Sequence, residues 1–147
     1  MFNGLFGGTP ISLLFKNVRE KNSLAYYASS RFDGFTGTLS VQAGIDQRNQ
    51  QAVLDIITEQ LDDIAHGHID PEVFNQVVAS LINNHESRQD SPRAVINQSV
   101  LDQLVGSTVS ADDWLAHIQA VTPQQVAAIA EQVTLQATYF LKGDESR

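Results

Sequence analysis

The chain has 147 residues, 42% apolar and 18% charged, with a net charge of −8 and an isoelectric point near 4.7. These values fit one globular domain, residues 1–147, with a buried core, and exclude a disordered or fibrous chain. The acidic balance argues against nucleic acid and anionic membrane surfaces as partners, because both attract clustered Lys and Arg. With no cysteine in the sequence, disulfides and thiolate metal sites are excluded and a cytoplasmic location is expected. No apolar run approaches the ~20 residues of a membrane-spanning helix, and no signal-peptide pattern opens the sequence, so a soluble chain is expected.

In chain order, Met1 to Gly8 ends in a Gly7-Gly8 pair, and Thr9-Pro10 supplies an N-cap and a first-turn proline. A helix is expected from there, with Ile11, Leu14, Phe15 and Val18 at helical spacing and a polar end at Arg19 to Ser23. Residues 24–45 read as a hairpin: an aromatic and small-residue run to Phe32, a turn at Asp33-Gly34, then Leu39, Val41, Ala43 and Ile45 alternating with polar positions. Asp46 caps a second helix with Val53, Ile56, Ile57, Leu61 and Ile64 on one stripe, stopping at Gly67. Asp70-Pro71 opens a third, carrying Phe74, Val77, Val78, Leu81 and Ile82. Ser91-Pro92 marks a kink or a fresh start that runs to Gly106. Ser110 with Asp113, and Thr122-Pro123 with Gln125, are capping patterns for two short helices. Residues 134–141, mostly β-branched, aromatic and apolar, read as a strand buried on both faces. Strands set apart from a run of helices argue for an α+β fold, an antiparallel or mixed sheet covered on one face by helices.

Few residues here look chemical. His66 and His68 bracket Gly67 at a helix stop with no third ligand nearby, so exposed histidines are expected. His85 and His117 sit beside apolar helix positions and read as structural. Gly7-Gly8 lacks the lysine or spaced glycines of a phosphate loop and is assigned to close helix packing. Arg19, at a helix C-terminus, interacts favourably with the helix dipole whatever its function. Alternation puts Tyr26 and Tyr27 on opposite faces of their strand.

The ordered motifs Phe2-Asn3-Gly4-Leu5-Phe6-Gly7-Gly8, Ser12-Leu13-Leu14-Phe15, Val18-Arg19-Glu20-Lys21 and Leu24-Ala25-Tyr26 resemble the second half-repeat of pitrilysin/insulinase-type zinc peptidases. The resemblance implies two homologous α+β halves, one bearing an inverted zinc motif H-x-x-E-H and one bearing none. This sequence has no such motif; His85-Glu86 lacks both the histidine three residues before Glu86 and the one after it. The resemblance therefore implies no cofactor in this chain, zinc in a partner half that carries H-x-x-E-H, and a peptide substrate held between the halves. It also assigns Arg19 to holding a substrate carbonyl and the Tyr26 hydroxyl to donating toward the developing oxyanion. Asn22-Ser23 stands where many relatives have a glycine-containing turn.

The family pattern places strands and the start of a helix before Phe2, so an N-terminally truncated half-repeat is expected. Its sheet would lack a neighbour and leave Phe2, Leu5 and Phe6 exposed, which predicts a two-fold homodimer through that segment or the sheet edges.

Overall fold

The computed structural model describes residues 1–106 and 109–142. Two short helical segments open the chain. The first, residues 2–8, has wide π geometry over Gly4–Gly8; the second passes into π geometry over Phe15–Lys21. Between them Thr9 is extended (φ −129°, ψ 159°). Its hydroxyl donates back to the Gly4 carbonyl over 2.9 Å. Thr9 thus closes the first helix instead of capping the second, which corrects the expected start at Thr9-Pro10.

The opening segment is also the most deeply buried part of the chain. Phe2, Leu5 and Phe6 join Leu14 and Val18 in the core, and the Phe2 and Phe6 rings stack with centroids 5.7 Å apart. Three glycines in seven residues argue against a helix on propensity, but tertiary burial overrides propensity in short helices. The expected exposure of Phe2, Leu5 and Phe6 is therefore wrong, and a dimer through that segment falls with it. Gly7 shows why the segment must be slim. A Cβ built there would lie 2.6 Å from the Ser30 amide nitrogen, so the helix rests directly on strand backbone. Asn3 reinforces the contact by accepting the Ser30 hydroxyl at 2.7 Å. The close packing assigned to Gly7 is real, against a strand; Gly4 faces Leu81 and Val77.

Strands β1 (Ala25–Asp33) and β2 (Thr38–Ile45) form the expected antiparallel hairpin. Its loop is held by the Asp33 carboxylate, which accepts from the amides of Phe35 at 2.9 Å and Thr36 at 3.4 Å. Those bonds favour the ionised form and lower the Asp33 pKa. Ala28 and Ser30, buried, lie opposite Ala43 and Val41. This face rests on the two opening helical segments, while Ser29, Arg31, Ser40 and Gln42 line an open trough on the other side.

Behind the opening segments stand α1 (Gln50–Ala65), α2 (Pro71–Gln89), α3 (Pro92–Val105), α4 (Ala111–Ala120) and α5 (Pro123–Ala130). Their starts follow the capping residues. Asp46 accepts from Arg48 ahead of α1, Asp70 from Glu72, Ser91 from Ala94 and Ser110 from Asp113, and Thr122 forms a full capping box with Gln125. Val53 and Ile64 of α1, Phe74 and Val77 of α2, and Val126 and Ala130 of α5 complete the core. His85 stacks on Trp114 with centroids 4.1 Å apart, tying α2 to α4, which is the structural role expected of it. α3 buries no residue.

The expected strand at 134–141 does not form. Residues 134–142 join no ladder, and Leu135, Tyr139 and Leu141 are exposed. A strand needs a partner's backbone to satisfy its own. Among the described residues β1 and β2 pair only with each other, so sequence pattern alone could not place this segment in a sheet.

Ser23 has φ 51°, a left-handed conformation that costs a residue with a Cβ roughly 1–2 kcal/mol. Part of that gain is offset in a glycine variant by the freer unfolded chain, about 0.4–1 kcal/mol. Ser23→Gly should therefore raise stability by roughly 0.5–1 kcal/mol, read as a higher urea midpoint at unchanged slope. An unchanged or lower midpoint would show that the turn is relaxed with serine.

Candidate functional site

The turn that joins the second helical segment to β1 separates the two residues singled out from the sequence, Arg19 before it and Tyr26 after it. The Arg19 carbonyl accepts from both Asn22 and Ser23 amides, and the Leu24 amide reaches back 3.0 Å to the Val18 carbonyl. A wrapped helix end of this kind calls for a left-handed residue, which Ser23 supplies in place of glycine. Asn22 fastens the turn through its side-chain amide to the Asn17 carbonyl at 2.6 Å. Asn49 approaches the Leu24 carbonyl at 3.4 Å.

Arg19 leaves this helix end exposed, with its guanidinium 4.7 Å from the centroid of the Phe15 ring. An exposed cation–π contact of this kind contributes about 0.5–1 kcal/mol, and among the described residues no carboxylate pairs with Arg19. Its donors remain free to take an incoming group.

Tyr26 owes its position to a β-bulge. Ala25 pairs with Ile45 and Tyr27 with Gly44, so β1 advances two residues while β2 advances one, and Tyr26 is the extra residue. The bulge corrects the simple alternation expected for the two tyrosines. Ala25 packs on the core and so does Ala28, an odd spacing that a regular strand cannot keep on one face. The Tyr26 side chain is thereby thrown outward, and the residue is 83% exposed; Tyr27, 54% exposed, lies across the strand over Gly44. Sequence reasoning passed over Gly44, although a glycine inside an alternating strand marks a close approach. Arg19 and Tyr26 thus flank one turn, both exposed, with no hydrogen bond between them.

Among the described residues no three His, Cys, Asp or Glu side chains come together to hold an ion. His66 and His68 are exposed with ring centroids 6.2 Å apart. His66 Nδ1 lies 2.8 Å from the Asp62 carbonyl, and that hydrogen bond, followed by the Asp62 charge, raises the His66 pKa. A raised folded pKa means that the protonated ring stabilises the fold below the unfolded pKa, near 6.5, and that this contribution is lost as pH rises through the folded value. No helix among the described residues is long and apolar enough to cross a membrane.

Fold and turn together define an α+β domain in which, among the described residues, no group of zinc ligands comes together. The sequence model described as the peptidase M16 inactive domain matches residues 1–81, and the chain belongs to that family. A Bacillus subtilis protein named "probable inactive metalloprotease" is 37% identical over 145 residues, covering 99% of this chain and 34% of that protein. A protein of Streptomyces coelicolor named an uncharacterized zinc protease is 36% identical over 137 residues, 90% of this chain and 30% of that protein. The crystal structure of a conserved protein from Enterococcus faecalis superposes with a TM-score of 0.82 at 41% identity, over 88% of this chain and 31% of that one. The chain therefore spans about a third of the length of the relatives it matches.

Proposed function

We propose that this chain is the accessory, substrate-enclosing half of a pitrilysin/insulinase-type zinc endopeptidase. The observation that carries the reading is the pair of uncommitted donors at the 22–24 turn. Arg19 has no acidic partner among the described residues, and the Tyr26 phenol points away from the core. A guanidinium can hold a peptide carbonyl and a phenol can donate to a developing oxyanion. Zinc, the general base and the activated water come from a half that bears H-x-x-E-H, and an extended peptide lies between the halves, within reach of a sheet edge for strand addition. The absence of cysteine fits a cytoplasmic setting for this assembly. The open edges of the two-stranded sheet support the homodimer expected from the sequence only when no partner half is present.

A second reading is favoured by the name of the Bacillus subtilis relative: a module that keeps the partnership and has lost hydrolysis. One reconstitution separates the two. The chain is mixed with an H-x-x-E-H half of the same family, and hydrolysis of a quenched-fluorescence peptide is followed with zinc analysis of each component. The accessory reading expects hydrolysis only from the mixture and no stoichiometric zinc on this chain. Association without hydrolysis supports the scaffold, and one tight zinc per chain, lost on changing His66 and His68, would sink both.

A further inference from the structure

We propose that Gly44 is a positioning residue for Tyr26, acting through the ring of Tyr27; the inference rests on the accessory reading of Tyr26. The backbone at Gly44 does not itself demand glycine, since the left-handed glycines are Gly37, Gly67 and Gly106. Space does. A Cβ at position 44 would stand 2.8 Å from Cδ1 and 3.2 Å from Cζ of Tyr27, so the ring occupies the place where a side chain would be.

This seat sorts two chemically identical neighbours. Ala25 and Ala28 both face the core whether residue 26 or residue 27 is the extra one, so core packing alone does not choose between them. One tyrosine can cover Gly44, and the other is extruded by the bulge. Tyr27 holds the seat opposite its register partner, and upstream the chain is pinned by the bond from Leu24 to Val18. The phenol that projects outward is therefore that of Tyr26. Closing the seat with a methyl group evicts the ring and frees the bulge to shift by a residue, which leaves Tyr26 without a fixed direction. A misplacement of about 1 Å in such a group costs ~10²-fold in rate.

Ring NMR of the 147-residue chain with labelled tyrosine tests this, its three tyrosines assigned by single replacements with phenylalanine. In Gly44→Ala the ring signals of both Tyr26 and Tyr27 are expected to move. Tyr27→Phe, which keeps a ring in the seat, leaves the Tyr26 signal in place, whereas Tyr27→Leu moves it as Tyr26 enters the vacated seat. A Tyr26 signal unmoved in Gly44→Ala and Tyr27→Leu overturns the proposal; if Gly44→Ala does not fold, Tyr27→Leu decides alone. In the reconstituted peptidase Gly44→Ala lowers kcat by ~10²-fold with KM little changed. Full activity of Tyr26→Phe there would defeat the accessory reading, while the NMR result would still decide what positions Tyr26.

Discussion

Phe6→Ala is expected to destabilise the chain by about 3–5 kcal/mol, the usual range for emptying a buried phenylalanine site. Phe6 is 1% exposed and stacks on Phe2, and Leu5 beside it is fully buried. Native domains of this size hold only about 5–15 kcal/mol in total, so one truncation removes a large share. Gly7 already sets the first helical segment against the β1 backbone at Ser30, which limits how far the wall of the emptied site can collapse. Phe35→Ala is the control. Phe35 sits exposed in the hairpin loop, where a change should stay within about 0.5 kcal/mol. Chemical denaturation of both variants decides the matter. Equal midpoints, together with weaker self-association of Phe6→Ala in sedimentation, would mean that Phe6 belongs to an intermolecular surface.

Arg19→Ala and Tyr26→Phe carry the largest expected effects on chemistry. In the reconstituted peptidase each should lower turnover by ~10²–10³-fold, equivalent to about 2.7–4 kcal/mol, the cost of losing one donor aimed at developing charge. Neither should disturb the fold. The Tyr26 residue is 83% exposed, its hydroxyl touches no core group, and Arg19 loses only an exposed contact with Phe15. Arg19→Lys should recover little, since a point charge lacks the planar fork that grips a carbonyl from two directions. Tyr27→Phe keeps the ring over Gly44 and should be close to silent. Equal losses from Tyr26→Phe and Tyr27→Phe, or a large fall in melting temperature for Arg19→Ala, would show that packing had been mistaken for chemistry.

The helical half of the fold was legible because its signals are local. Asp70-Pro71, Ser91-Pro92 and Thr122-Pro123 each act on amides two or three residues away, and the structure places a helix start at every one. Gly106 ends α3 in the left-handed conformation that its residue type foretold. Apart from Thr9-Pro10, whose threonine closes the preceding helix through the Gly4 carbonyl, the misreadings depend on distant neighbours. Residues 2–8 are helical because β1 and α2 enclose them, against their own glycine content. Residues 134–141 have strand composition but find no partner. The bulge at Tyr26 lies where Ala25 pairs with Ile45 and Tyr27 with Gly44, two steps on one strand against one on the other, which no single segment reveals. For the turn between Arg19 and Tyr26, the motif singled out both residues, but not that Ser23 would adopt a left-handed backbone.

α3 has a consequence for how the molecule breathes. None of its 14 residues is fully buried, whereas the opening segments, the hairpin, α1, α2 and α5 share one core. Free energy of opening is set locally by buried contact, so α3 can unwind and re-form on its own while the remainder stays closed. Its amides then exchange with solvent through a shallow, private fluctuation, whereas those of Leu5, Phe6 and Val18 exchange only when the whole core comes apart. Arg19 and Tyr26 sit on the elements that share this core, the second helical segment and β1, and not on the loosely attached flank.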